Sequence, residues 1–240
     1  MLTLAIDTSA GTAVALLDVP AGGPPTVLAQ AAGADPRAHA EQLAPMVADV
    51  LRTARAAAAD VELVAVGTGP APFTGLRVGL VSARTFAHAL GIEVVGVASL
   101  DALARTVLDR APGDAAQVVV ATDARRREVY VARYAARGAD DVTRLAGPHV
   151  TAPAEALAAV GLGDDGGPGT PDVLLAGPGC ALAPEHLPAT PGLPDAIDLA
   201  ALARIAHARR AARAAGHDVA LDTEPLYLRR PDIHGAPGAP

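Results

Sequence analysis

Between Val61 and Gly91 the chain reads VELVAVGTGPAPFTGLRVGLVSARTFAHALG, and no other stretch limits the fold as strongly. Its first six residues suit a buried strand. A tight Gly- and Pro-punctuated turn follows from Gly67 to Gly75, and small and apolar residues then run to Leu90 and stop at Gly91, a natural helix C′ residue. The order is strand, tight loop, helix. At 100° per residue Arg77, Arg84 and His88 share one arc, while Leu76, Val78, Leu80, Val81, Ala83, Phe86 and Leu90 fill most of the rest. A helix on a sheet needs one apolar stripe, so the surplus predicts a second packing partner, either another helix of the chain or another protein.

The 240 residues make one large domain or two small ones, with a core built from Ala, Leu and Val, since aromatics are only 2% of the chain. A net charge of −7, with Phe73, Phe86, Tyr130, Tyr134 and Tyr227 as the only aromatics, supplies neither a basic field nor a stacking platform. Any RNA is therefore expected to be held mainly by a partner. All 19 basic residues are arginine, which excludes a P-loop and any Schiff-base or pyridoxal-phosphate chemistry, because both need a lysine. The one cysteine, Cys180, excludes an intrachain disulfide and a Cys-rich zinc site, and it reads as a small buried residue. The N-terminal apolar run meets Asp7 too soon for a signal peptide, and no charge-free segment is long enough to span a membrane. The expectation is a soluble, cytoplasmic protein.

Along the chain, strands are predicted at Leu2 to Ile6, Thr12 to Asp18 and Val27 to Ala32, then a helix from His39 to about Ala58. Pro45 sits either in that helix's first turn or at a kink. After the opening stretch come a strand at Glu93 to Val97 and a helix from Ser99 to Arg110, with Asp101 supporting its N-terminus. Pro112-Gly113-Asp114 marks a break, and the pattern restarts: strands at Gln117 to Thr122, Glu128 to Ala135 and Val142 to Val150, a helix at Pro153 to Val160, a strand at Val173 to Ala176, and a helix from Asp198 to Ala215. Three antiparallel strands followed by alternating helix and strand, twice over, predict an α/β duplication at the level of elements. The expected division is 1–98 and 99–230, with a disordered tail at 231–240.

Chemistry has few places to sit. Asp7-Thr8-Ser9, at the end of the first strand, offers a carboxylate and two hydroxyls, able either to face nucleotide phosphates or a metal-bound water, or simply to close an Asx-turn. The Gly67-Thr68-Gly69-Pro70 turn can present amides to an anion, but Pro70 and Pro72 lack that donor and no lysine stands behind them. His39 is followed four residues on by Leu43, so no metal-ligand pair forms there. Arg125-Arg126-Arg127 with Glu128 makes a charged turn that either meets phosphate or a partner carboxylate, or is a solvated hairpin tip. No serine elbow accompanies the histidines.

Five segments in order, MLTLAIDTS, HAEQLAPMV, GTGPAPFTGLRVG, ATDARRREVYVARY and EPLYLRRP, resemble the TsaB family across nearly the whole chain. That resemblance implies two tandem ribonuclease-H-like halves of the actin, sugar-kinase and heat-shock ATPase superfamily. It implies no intrinsic enzyme activity and no metal site, but a subunit that binds and activates a TsaD-like enzyme transferring a threonylcarbamoyl group to the adenosine next to the anticodon of tRNA. The metal-binding His-x-x-x-His helix of TsaD is His39 to Leu43 here, with the second ligand missing.

By the same resemblance, the helices carrying His39, Leu43, Met46, Thr74, Leu76, Leu80, Ala83, Arg84 and Ala87 form the interface with the TsaD-like partner, or with a second copy when that partner is absent. Asp7, Thr8 and Ser9 would be a vestigial nucleotide site, with ATP or ADP only at a shared interface. A TsaE-like ATPase and tRNA would join through the complex. The family's G-P-G-S-F-T-G loop is Gly69-Pro70-Ala71-Pro72-Phe73-Thr74-Gly75 here, which restricts the backbone and removes a donor. The alternatives are an autonomous ATP-dependent kinase or a metallopeptidase of the same superfamily.

Overall fold

A computed structural model describes residues 1–33, 39–111, 117–163 and 173–229; for 39 and 40 it describes the backbone alone. The expected break at Pro112-Gly113-Asp114 and the tail at 231–240 lie outside the described residues. The first sheet joins β1 (Leu2–Asp7), β2 (Thr12–Asp18), β3 (Thr26–Gly33), β4 (Leu63–Gly67) and β5 (Glu93–Val97) in the order β3-β2-β1-β4-β5. β1 to β3 are antiparallel and β1, β4 and β5 parallel. β6 (Gln117–Asp123), β7 (Val129–Arg137), β8 (Asp141–Thr151) and β9 (Val173–Ala176) repeat that order as β8-β7-β6-β9, one strand shorter. The molecule is α/β, with two tandem ribonuclease-H-like sheets.

Both faces of the first sheet are covered, which is why β1 and β4 read as nearly unbroken apolar runs. Leu4, Ile6, Val14, Val64 and Val66 face α1 (His39–Ala54) and α2 (Phe73–Leu90). Ala5, Leu17, Leu63, Ala65 and Val95 face α5 (Leu199–Ala214), whose Leu202, Ala203, Ile205 and Ala206 fill that side. α3 (Ser99–Leu108) links the halves and packs Leu100, Leu103 and Val107 on the second sheet. On that sheet's far face lie the short α4 (Ala156–Ala159) and a 3-10 turn at Pro178–Leu182. The expected division at residue 98 falls between β5 and α3, yet α5 returns across it to the first sheet. No helix among the described residues is long and apolar enough to cross a membrane.

Element ends differ from the sequence reading where backbone geometry intervenes. α1 stops at Ala54 rather than near Ala58 because Arg55 turns left-handed, at φ 56°, and the Ala56 amide closes back on Leu51 O at 3.0 Å. Pro45 lies inside α1, not in its first turn. α2 ends where expected: Gly91 has φ 66° and the Ile92 amide reaches Ala87 O at 3.0 Å. The helix predicted at 153–160 is one 3-10 turn and one α turn, cut short by Gly161 at φ 75°.

Asp101 lies in the first turn of α3, as expected, but makes no side-chain cap there. Its carboxylate is 4% exposed and accepts hydrogen bonds from Tyr134 Oη at 2.8 Å, Arg144 at 2.6 Å and Arg209 at 2.9 Å, while Arg209 also bonds Asp141 at 2.9 Å. This network ties α3 and α5 to β7 and β8. Burial first, and then the Asp101 charge, hold the Tyr134 hydroxyl well above the ordinary tyrosine range, so it stays a neutral donor.

Candidate functional site

Three places merit a functional reading: the strand ends of the first half, the α1–α2 pair, and the β6–β7 hairpin tip. At the first, Asp7 Oδ1 accepts from the Ser9 amide at 2.8 Å and from Ser9 Oγ at 2.6 Å, and Oδ2 accepts from Ser99 Oγ at 2.6 Å. Ser99 in turn receives the Gly69 amide at 3.2 Å and donates its own amide to Gly69 O at 2.7 Å. The parallel strands bring these residues together, because β1 and β4 end side by side and α3 begins beside them. Gly67 permits the approach, since a Cβ there would overlap Asp7 Oδ2. Thr8 is buried against Gly79 of α2. Both oxygens of Asp7 are thus engaged in an Asx-turn and a strand-to-helix tie. Among the described residues no group of three His, Cys, Asp or Glu side chains converges as a metal site. Cys180 is buried, and burial pushes its thiol up to about 11, so it is unreactive.

α2 decides the second place. Leu76, Leu80, Ala83 and Ala87, spaced four, three and four residues apart, are at most 3% exposed and face the sheet; Leu43 of α1 is equally buried. The sequence reading assigns these five to a partner interface, and that assignment is corrected here: their faces are already covered by the chain's own core. The helical wheel shows two apolar arcs without saying which one meets the sheet. The arc left outside carries Val81, 61% exposed, with Val78 half-buried and Thr74 exposed beside it. α1 presents Ala44, Pro45 and Ala48 outward, with Met46 and Val47 half-buried. The side chain of His39 lies outside the described residues.

Arg84, also expected at a partner interface, is spent within the chain. It bonds Thr223 Oγ1 at 2.6 Å, Thr223 O at 2.5 Å and Glu224 at 3.2 Å. Arg77 donates to Tyr227 Oη at 2.9 Å and stacks on Phe73 at 3.6 Å. These contacts fasten a C-terminal strap, residues 221–229, across α2 and the ends of β4 and β5, where Gly96 donates to Leu221 O at 3.0 Å and Leu226 to Thr68 O at 2.9 Å. A Cβ on Gly96 would overlap Asp222 O. The strap then reaches the second half, where Arg229 bonds Ala124 O at 3.3 Å and pairs with Glu128. Local periodicity gives no sign of the strap, because its partners lie 105 residues or more away in α2, at the ends of β4 and β5 and at Ala124, and 101 away at Glu128. Only the polar arc of α2 hints that something must meet those arginines.

At the third place, Asp123 Oδ1 accepts from the Arg125 amide at 2.6 Å and Oδ2 from the Arg125 guanidinium at 3.1 Å. Arg125, Arg126 and Arg127 all lie in the left-handed region and are exposed. Asp123 is therefore the counterpart of Asp7, and Gly179 that of Gly67: a Cβ at 179 would stand 2.7 Å from Ala121 C.

The described geometry places this chain among known proteins. The family model of TsaD, tRNA N6-adenosine threonylcarbamoyltransferase, matches residues 26–184. An uncharacterized protein of Mycobacterium tuberculosis is 42% identical over 212 residues, 86% of this chain and 82% of that one. The tRNA threonylcarbamoyladenosine biosynthesis protein TsaB of Escherichia coli is 36% identical over 99 residues, 41% of this chain and 42% of its own. A Pseudomonas aeruginosa crystal structure described as similar to peptidase YeaZ superposes with a TM-score of 0.69 at 30% identity, covering 95% of this chain and 99% of the other. A second, YeaZ from the same organism, gives 0.68 at 28% identity over 94% and 100%. The chain therefore belongs to the TsaD family and, within it, is a TsaB-type protein.

Proposed function

We propose that this chain takes part in threonylcarbamoyladenosine formation in tRNA, as a noncatalytic subunit that docks a TsaD-like threonylcarbamoyltransferase through the outer sides of α1 and α2. The observation that carries this reading is a TsaB-type chain whose α1–α2 pair leaves a small-residue, apolar surface open at Ala44, Ala48, Val78 and Val81. Small side chains let two helix pairs approach closely, and an exposed valine at the centre gains from burial. Leu43 supports the noncatalytic role: where a TsaD-type helix has its second histidine, this chain buries a leucine in its core. Asp7, with both carboxylate oxygens engaged internally, supports a nucleotide held at the interface with the partner rather than by this chain alone. The TsaE-like ATPase and tRNA join through that complex, and a second copy of this chain occupies the same surface when the transferase is absent.

Depletion of the protein, followed by mass spectrometry of tRNA nucleosides, tests the role directly: threonylcarbamoyladenosine falls, and unchanged levels would refute the reading. Val81→Glu places a charge on the outward arc and is expected to weaken binding to the TsaD-like protein at least tenfold without unfolding the chain. Leu80→Ala instead loosens the chain's own core.

A further inference from the structure

A sheet edge presents unpaired amides and carbonyls, and chains block it with charge, proline, a short strand or a covering segment. Among the described residues, three of the four sheet edges are blocked in these ways. The strap lies beside β5, where the Gly96 amide donates to Leu221 O at 3.0 Å. β9 has four residues, and its Leu175 amide donates to Thr190 Oγ1 at 3.1 Å while its carbonyl accepts from the Thr190 amide at 2.8 Å. β8 carries Asp141, Arg144, Pro148 and His149. β3 has none of these devices. It reads TVLAQAAG, eight residues without a charge or a proline, and it pairs with β2 on one side and, among the described residues, with no strand on the other. Val27 and Leu28 are 40% and 43% exposed. A bulge at Leu28 leaves Ala29 to Gly33 in regular register against β2.

We propose that the free edge of β3 pairs antiparallel with β3 of a second copy of this chain, joining two five-stranded sheets into one across a two-fold axis. Two-fold symmetry sets identical strands antiparallel, so each copy supplies the donors and acceptors that the other lacks. Charge favours self-pairing at this edge. The chain as a whole, at −7, repels its copies, but a strand with no ionic side chain meets no like charge when it lies against itself. Small residues at Ala29, Ala31, Ala32 and Gly33 keep the approach of the two backbones unobstructed. The cleft beside β3, floored by Gln30 and Ala32 and walled by Leu193, Pro194 and Ile197, gives one face of the added strand apolar surface to cover, so more than backbone bonding holds the pair. This surface differs from the outer sides of α1 and α2, and the inference stands apart from the functional reading above.

Sedimentation equilibrium of the full chain tests this, in a Val81→Glu background so that pairing through α2 does not contribute. V81E is expected to dimerise at about 100 μM chain or below. Adding Gln30→Lys, at an exposed position in the middle of the edge, should raise the dissociation constant at least tenfold by setting two like charges across the axis. Gln30→Glu should do the same, and mixing the lysine and glutamate copies should restore the dimer, which a folding defect would not do. A V81E chain that stays monomeric at that concentration overturns the proposal and leaves the edge to a segment of another protein. Charged variants that dimerise as tightly as their parent overturn it as well, and so does a lysine and glutamate mixture that stays monomeric.

Discussion

In both halves the first strand ends at an aspartate that receives the amide two residues on, Asp7 from Ser9 at 2.8 Å and Asp123 from Arg125 at 2.6 Å. In both, a glycine at or beyond the end of the neighbouring parallel strand lies close against that first strand, Gly67 at the end of β4 and Gly179 three residues past β9. The halves part at the next element. After β4 comes α2, eighteen residues long, whose Gly79 lies over Thr8. After β9 comes a five-residue 3-10 turn at Pro178–Leu182. The long helix covers Asp7 and Thr8 of the first tip and leaves Ala10 exposed, whereas Arg125, Arg126 and Arg127 of the second are all exposed. A duplicated turn thus becomes a structural tie in one half and a presented surface in the other, by the length of one helix.

The glycines test what the halves share, and carry the largest expected effects. Gly179→Ala pushes a methyl against the backbone of Ala121 and Thr122 at 2.7 and 2.8 Å, atoms that cannot swing away, so unfolding by urea should show a loss of about 3 kcal/mol or more. Gly67→Ala is expected to match it, because the obstructing Asp7 carboxylate is held by three donors. The aspartates test where the halves part. Asp7→Ala strands buried donors and should cost about 3 kcal/mol, whereas Asp123→Ala, at a half-exposed turn, should cost about 1 kcal/mol. Equal losses would mean that the second tip is as tightly integrated as the first.

Arg127→Gly relieves a left-handed residue at the second tip and is expected to raise stability by up to about 1 kcal/mol, read as a higher melting temperature. The smallest effect is on pH. His207 on α5 is held by Thr3 Oγ1 at 2.8 Å, and burial, helped by the Arg210 charge, lowers its pKa. The unfolded chain then binds the extra proton below about pH 6.5 while the folded one resists it, so stability falls as pH drops through that range. Hydrogen exchange should show α5 loosening from the first sheet first, and His207→Gln should flatten the response.

Much of the fold was legible in the chain itself. Hydrophobic period and Gly/Pro punctuation fix the strand-loop-helix at 61–91 and the doubled order of elements, because those signals are local. Asp7-Thr8-Ser9 was readable as an Asx-turn for the same reason. Asp101 was not: a carboxylate in a helix's first turn looks like support for that helix, and only the approach of Tyr134, Arg144 and Arg209 draws it into the core. The family resemblance, too, lay in short ordered strings.

What only the tertiary structure decides is which surfaces remain. The sequence makes α2 apolar on two arcs, but the sheet chooses Leu76, Leu80, Ala83 and Ala87, leaving Val81 outside. It supplies Arg77 and Arg84, but the strap from residues 221–229 takes them. The physical reason is common to both. Periodicity reports that a side chain wants burial or a counter-charge, while the partner that satisfies it is set by chain segments far away in sequence.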